Sequence, residues 1–89
     1  MSNVTSSATA AADNLEKVKA MSQECLKIFL NARRAELDLE DKDINNIYNQ
    51  RIDGDIFLDS TPEDFERWGI PGGPAKKIVK LIKKIQGGK

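Results

Sequence analysis

Asp53 and Asp55 flank Gly54 at a spacing that could support acid–base chemistry. Paired carboxylates act as general acid and base inside a cleft that shifts their pKa values, and nothing in the sequence predicts such a cleft. The segment is also too short for a calcium loop, because an EF-hand draws its ligands from about twelve residues. We therefore interpret both aspartates as turn-forming, solvated acids.

A glycine-rich segment, Gly72-Gly73-Pro74-Ala75-Lys76, lacks the spacing and the Ser or Thr of a phosphate-binding P-loop. The chain has no histidine, which removes the commonest general base and neutral metal ligand. Its single cysteine, Cys25, excludes a multi-cysteine metal site and an intrachain disulfide. No neighbouring residue marks Cys25 as reactive, so we expect it to be a small core residue. The sequence thus predicts no enzyme, no cofactor and no metal.

Length and composition favour one small domain. The 89 residues are 39% hydrophobic and include five aromatic side chains, enough for a modest core but not for a second, buried cofactor cavity. No apolar run approaches the roughly 20 residues of a membrane span, and the first residues form no signal-peptide core. We therefore expect an intracellular protein, cytoplasmic or nuclear.

Charge is strongly segregated along the chain although the formal net charge is zero. Residues 36–66 contain eleven acidic and two basic side chains, whereas residues 67–89 contain seven basic and no acidic ones. Charged faces are often simply solvated, and blocks in sequence need not become patches in space. A contrast this large still points to a surface for another macromolecule.

The chain divides into three parts by composition. Residues 1–14 are small and polar, so ordering them would cost entropy without burying apolar surface, and we interpret them as a flexible tail. Residues 15–86 carry the helical patterns and form the predicted domain. Residues 87–89 are interpreted as a flexible C-terminal end.

An apolar stripe with the period of an amphipathic helix runs through residues 15–35. Its members are Val18, Met21, Cys25, Ile28, Ala32 and Ala35, and the stripe is broadened by Leu26, Phe29 and Leu30. We interpret residues 15–21 as an N-terminal extension of the first helix. A shorter helix is predicted for residues 40–50, with Ile44, Ile47 and Tyr48 on one side.

Turn and cap residues predict the next elements. Glycine reaches positive φ cheaply, so Asp53-Gly54 predicts a turn, followed by one helical turn over residues 55–58. Thr61 as N-cap and Pro62 at the first position predict a fourth helix. Its Phe65 and Trp68 should both face inward.

The final helix is the most regular pattern in the chain. We predict Pro74 as its first residue. Apolar residues then recur at helical spacing: Ala75, Ile78, Val79, Ile82 and Ile85. Five lysines occupy the other face: Lys76, Lys77, Lys80, Lys83 and Lys84.

The segment from Ile52 to Ile85 resembles the SAM (sterile alpha motif) domain family. The resemblance is carried by Ile52-Asp53-Gly54, Phe57-Leu58, Thr61-x-Glu63-Asp64-Phe65, Trp68-Gly69-Ile70 and Gly73-Pro74 with Lys77-Ile78. It implies a compact all-α bundle of five helices, the first near residues 22–33. The chain departs from the family at Asp43, where an aromatic residue is usual, and at Ser60, where a large apolar residue is preferred.

The resemblance also implies a function, because SAM domains commonly join a mid-loop surface of one copy to the start of the last helix of another. Carried onto this chain, the acidic surface consists of Asp53, Asp55, Asp59, Glu63 and Asp64. The basic surface consists of Gly73, Lys76, Lys77 and Lys80. The charge segregation found independently agrees with both. We therefore predict a non-enzymatic adaptor or oligomerisation module that binds another SAM domain or itself head to tail.

Two alternatives stay open at this point. Some SAM domains bind RNA hairpins through the start of the last helix and the first helix, which here would use Lys76, Lys77, Lys80, Arg33 and Arg34. Against this, Ala75 stands where the family often has arginine, and the acidic segment would repel phosphate. A basic helix lying on an anionic membrane is the other alternative.

Overall fold

The computed structural model describes residues 15–87 and is all-α over that range, as predicted. Its seven helices are α1 (Leu15–Lys19), α2 (Gln23–Ala32), α3 (Arg34–Leu37), α4 (Asp41–Asn49), α5 (Gly54–Leu58), α6 (Pro62–Arg67) and α7 (Gly72–Ile85). The five predicted helices correspond to α2, α4, α5, α6 and α7, and α1 and α3 are short additions. The tail predicted for residues 1–14 lies outside the described residues, as do residues 88 and 89.

The core is organised around a chain of aromatic rings. Phe57 and Phe65 are fully buried, and their ring centroids lie 5.9 Å apart in an edge-to-face arrangement. Phe29 extends the chain on one side at 6.4 Å, and Trp68 extends it on the other at 5.4 Å. Edge-to-face pairs add to the stabilisation from burial alone. Helices α2, α5 and α6 are thereby held to one centre, and Trp68 is half-buried against it.

A break between α1 and α2 shows that the prediction of one continuous helix was wrong. Ser22 adopts an extended backbone with ψ of 175°, and its Oγ accepts a hydrogen bond from the amide of Cys25 at 3.1 Å. A serine in this conformation is an N-cap, so α2 starts anew at Gln23. The phase of the apolar stripe in residues 15–21 therefore does not continue into α2.

The buried face of α2 differs from the predicted stripe. Leu26, Phe29 and Leu30 are buried, whereas Ile28 is 69% exposed and Cys25 is exposed. The three buried residues follow i, i+3, i+4 spacing and offer more apolar area than the stripe through Cys25 and Ala32. The expectation that Cys25 belongs to the core, with Ile28 beside it, was wrong.

The two departures from the SAM pattern, Asp43 and Ser60, are the two buried polar residues of the described chain. Asp43 Oδ2 accepts a hydrogen bond from the amide of Glu40 at 2.9 Å and so helps to start α4. Ser60 Oγ donates to the carbonyl of Ile56 at 2.7 Å. Both side chains thus satisfy backbone groups at helix ends, which offsets the cost of burying Ser60 but only part of the cost for Asp43, because Asp43 Oδ1 is buried without a hydrogen-bond partner.

Gly54 is required by close packing and not by the positive φ that the sequence suggested. A Cβ at this position would lie 1.7 Å from the carbonyl oxygen of Val18. The amide of Gly54 also donates to the carbonyl of Met21 at 3.0 Å. The positive φ near this turn, 60°, belongs to Arg51. The end of α1 and the start of α5 therefore touch backbone to backbone.

The last helix begins two residues earlier than predicted. Pro71 is its N-cap and Gly72 its first residue, and the amide of Ala75 donates to the carbonyl of Pro71 at 3.0 Å. Pro74 fits inside this first turn because the amides there have no intrahelical acceptor to lose. Ala75, Ile78, Leu81, Ile82 and Ile85 are buried, and Val79 is half-buried.

Candidate protein-interaction surfaces

The five acids of the predicted acidic surface lie around α5 and at the start of α6. Asp53 precedes α5, Asp55 lies in its first turn and Asp59 follows its last residue. Glu63 and Asp64 lie in the first turn of α6. The short connection through Ser60 and Thr61 places the two helices in succession, so all five acids come from 12 consecutive residues.

Two of these acids hold helix starts in place. Asp53 Oδ1 accepts a hydrogen bond from the amide of Ile56 at 3.0 Å. Asp64 Oδ2 accepts from the amide of Thr61 at 3.0 Å, while Thr61 Oγ1 accepts from the amide of Asp64 at 3.2 Å. This reciprocal pair is a capping box. Asp53 and Asp64 therefore contribute to the fold whatever else they bind.

Asp64 is further engaged by a neighbouring cation. Its Oδ1 lies 3.2 Å from the guanidinium of Arg67. The backbone amide of Thr61 lowers the pKa of the Asp64 carboxyl below its ordinary value of 3.8, and the Thr61 hydroxyl and the Arg67 charge act in the same direction. Asp64 is thus held as a carboxylate by its own chain.

The remaining three acids form no helix cap. Asp55, Asp59 and Glu63 are exposed, and none of them forms an ion pair with another residue in the range 15–87. Asp55 and Asp59 border one cleft, of about 380 Å³, on the surface between α1 and α5. Sequence alone could not separate these three acids from the two that cap helices.

The predicted basic surface lies on the first half of α7. Gly73, Lys76, Lys77 and Lys80 are all exposed, and a Cβ built on Gly73 would meet no atom within 4 Å. No ion pair engages these lysines within the described part of the chain. The first turn of α7 carries no acidic side chain of its own. The Glu66 carboxylate nevertheless lies beside it, since Oε2 would be 3.5 Å from a Cβ built on Gly72.

A second cleft, of about 260 Å³, lies beside α7 and adds one residue that the prediction omitted. Lys77, Lys80 and Lys84 line it above Leu37 and Leu81. Lys84 follows Lys77 by seven residues, which is two helical turns, so the spacing of the sequence already placed it on this face. The two clefts share no lining residue: Asp55 and Asp59 border the first together with Lys19, and the three lysines border the second together with Glu36.

The two arginines of the RNA alternative are both engaged within the chain. The guanidinium of Arg33 lies 3.3 Å from Glu36 and stacks 4.9 Å from the centre of the Phe29 ring. The guanidinium of Arg34 contacts the carboxylate of Asp41 at 2.5 Å. Neither arginine is thus a free phosphate ligand in this structure.

Searches for other kinds of site gave two findings. Within residues 15–87, no three Cys, Asp or Glu side chains lie close enough together to hold a metal ion. None of the helices described is both long and apolar enough to cross a membrane.

Comparison with known proteins adds one finding. The model of a family described as a SAM-like domain matches residues 1–84 of the chain. Neither the curated proteins nor the solved structures compared with the chain give a match.

Proposed function

We propose that this chain, which belongs to the SAM-like domain family, binds a second copy of itself or another SAM domain head to tail. Members of this family commonly mediate protein–protein interactions and are generally non-catalytic. The acidic surface of one molecule, through Asp55, Asp59 and Glu63, contacts the basic surface of the next, through Lys76, Lys77 and Lys80.

The proposal rests on one observation above all. Three exposed acids belong to α5, α6 and their connection, three exposed lysines belong to α7, and neither group has an ion-pair partner within residues 15–87. Opposite charges arranged in this way speed association and fix its orientation, while adding less to the affinity itself. An apolar contact is needed to supply the remainder.

The start of α7 suits an incoming carboxylate for a further reason. The first amides of a helix have no intrahelical acceptor, and they carry the positive end of the helix dipole. Gly72 and Gly73 are both exposed, and Gly73 faces open space, whereas the Glu66 carboxylate lies beside Gly72. A carboxylate of a neighbouring molecule can therefore approach these amides and the two lysines that follow, Lys76 and Lys77.

Head-to-tail contact has a consequence for assembly. Each bound molecule still presents one free surface of each kind, so rings or open filaments follow whenever the molecule binds itself. Binding to a different SAM domain instead stops at the point where the partner lacks one of the two surfaces. Whether the chain acts as the adaptor or as the oligomerisation module expected from the sequence depends on which of these occurs.

Two charge-reversed variants test the proposal. Lys76→Glu with Lys77→Glu removes the basic surface, and Asp55→Lys with Asp59→Lys removes the acidic surface without touching the caps at Asp53 and Asp64. We expect neither variant to self-associate in sedimentation velocity. Mixed together, the two should form a heterodimer of defined size, because each retains one wild-type surface. The association should weaken as salt rises, since the Debye length falls to about 10 Å at 0.1 M.

The matched control is Lys42→Glu with Lys83→Glu, which makes the same charge change at two exposed lysines that line neither cleft. This variant should retain most of the association. A mixed pair that stays monomeric, although the wild type polymerises, would refute the surface assignment. A wild type that stays monomeric at millimolar concentration would restrict the proposal to a different SAM partner. Binding of an RNA hairpin pool that both lysine variants weaken equally would favour the RNA alternative.

A further inference from the structure

Glu66 is the last acidic residue in the sequence, and the fold places it beside the start of the basic helix α7. Its Oε2 would lie 3.5 Å from a Cβ built on Gly72, the first residue of α7. Glu66 is exposed, and it forms no ion pair with another residue in the range 15–87. The positive end of the α7 dipole is therefore the favourable electrostatic contact that the structure gives this carboxylate.

The position of Glu66 is fixed by the way α6 ends. The amide of Gly69, which has a φ of 94°, donates to the carbonyl of Glu66 at 3.0 Å. The amide of Ile70 donates to the carbonyl of Phe65 at 3.0 Å, and both of these side chains are buried in the core. Together the two bonds form a Schellman motif. The backbone of Glu66 is thus held next to the connection that leads into α7.

The environment within α6 does not favour an acid at this position. Glu66 lies in the last turn of α6, where the negative end of the helix dipole repels a carboxylate. It also follows Glu63 by three residues, so two like charges occupy neighbouring positions on the helix surface. The favourable interaction lies across the connection, at α7, whose first turn has no acid of its own.

We propose that Glu66 is an internal competitor for the start of α7. Its carboxylate lies beside the amides that a partner carboxylate would approach, and the two negative charges repel each other until Glu66 turns away. This inference rests on the proposed function and identifies a residue that limits its affinity. Because Glu66 is exposed, a change of side-chain rotamer is enough to displace it. Glu66 therefore weakens association without preventing it.

The competition also makes the basic surface selective. A carboxylate tethered to the same molecule has a high effective concentration, so a single acid on a partner gains little by displacing it. A partner surface that carries several acids gains more, because its other carboxylates reach Lys76 and Lys77 at the same time. Glu66 thus favours partners whose acids are clustered.

The experiment uses the heterodimer of the two charge-reversed variants described above. Its Asp55→Lys, Asp59→Lys copy supplies the working basic surface, and the other copy supplies the working acidic surface. Glu66→Gln keeps the side-chain length and the helix propensity. Placed in the copy with the working basic surface, it should tighten the heterodimer about threefold in isothermal titration calorimetry, as expected for one carboxylate removed from a helix start. The same substitution in the other copy, whose basic surface is already disabled, should leave the affinity unchanged.

A second substitution, Glu66→Asp, separates the position of the carboxylate from net charge. It keeps the charge but withdraws it from α7 by one methylene group, so it should give part of the gain of Glu66→Gln. No gain from Glu66→Asp beside a full gain from Glu66→Gln would show that net charge alone matters, and would overturn the proposal. Thermal unfolding of each variant checks that the fold is intact.

The outcomes separate this inference from the proposed function. If no heterodimer forms before Glu66 is changed, the head-to-tail function fails, and this inference fails with it. If the heterodimer forms but Glu66→Gln in the copy with the working basic surface does not tighten it, the competitor role is overturned and the charged contact stands. If Glu66→Gln weakens the heterodimer from the copy with the working acidic surface, Glu66 belongs to the acidic surface beside Glu63, and the proposal is overturned.

Discussion

The acidic surface and the basic surface are built in different ways. On the acidic side, Asp53 and Asp64 accept hydrogen bonds from backbone amides at the starts of α5 and α6. On the basic side, Lys76, Lys77 and Lys80 extend from one face of α7, and no hydrogen bond or ion pair joins them to other described residues. The acidic surface is therefore part of what holds the fold together, whereas the basic surface is carried by a helix that does not need it.

The glycines of the two surfaces show the same contrast. Gly54 faces the carbonyl oxygen of Val18, and Gly73 faces open space. Gly54 permits a close contact within the molecule, and Gly73 meets no atom of it. Substitutions at Gly54 or at the capping Asp53 and Asp64 should therefore change stability as well as binding, while substitutions on the basic side should change binding alone.

The largest expected difference in unfolding free energy is between substitutions of the two glycines, Gly54 and Gly73. Gly54→Ala must displace the backbone of α1 or α5, because the new Cβ would lie 1.7 Å from the Val18 oxygen, and it should cost more than about 3 kcal/mol of unfolding free energy. Gly73→Ala should stabilise the protein by about 0.5 kcal/mol, because alanine favours the helix and meets no neighbour. Urea unfolding of both variants measures the difference, and similar midpoints would contradict it.

Gly54 also shows which features of this fold cannot be predicted from the sequence. Helix starts are local, so Thr61 with Pro62 predicted α6 correctly. The role of Gly54 depends on Val18, which lies 36 residues earlier in the chain, so only the folded structure reveals it. The buried face of α2 was mispredicted for a related reason, since Ser22 interrupts the stripe and resets its phase.

The charge of the two surfaces was predictable from the sequence, but the role of each residue in them was not. The sequence places all 14 acids before residue 67 and six of the ten lysines after it. Nothing in the pattern distinguished the capping Asp53 from Asp55 two residues later, because capping depends on the backbone conformation of the residue. The exposure of Ile56 was equally hidden, since Ile56 and Phe57 are both apolar and only the packing of α5 decides which is buried. The assignment of both surfaces to binding stays a prediction.

A smaller difference in unfolding free energy is expected between substitutions of the two aspartates at the start of α5, Asp53 and Asp55. Asp53→Ala removes the acceptor of the Ile56 amide and should cost about 1 kcal/mol of unfolding free energy. Asp55→Ala removes an exposed acid without such a bond and should change stability by less than about 0.5 kcal/mol. Thermal unfolding at neutral pH compares them. Equal losses would mean that the acidic surface stabilises the fold through general charge and not through the cap.

The cap at α6 should give a pH-dependent difference. The pKa of Asp64 is lower in the folded chain than its ordinary value of 3.8, so its contribution to stability is present above that value and is lost as the pH falls through the folded pKa. Asp64→Ala should therefore be less stable than the wild type at pH 6 and should approach it at pH 2. A difference that persists unchanged at pH 2 would assign the cap to the neutral acid.

The smallest effect on stability should come from the basic surface. Lys76→Ala with Lys77→Ala removes two charges that lie nearer the positive than the negative end of α7, and alanine has the higher helix propensity. The unfolding free energy should accordingly stay within about 0.5 kcal/mol of the wild type or rise slightly. Self-association measured on the same samples should nevertheless be lost, because the proposed head-to-tail contact depends on these two side chains. A parallel loss of stability would show that the lysines also support the fold, and the contrast between the two surfaces would then disappear.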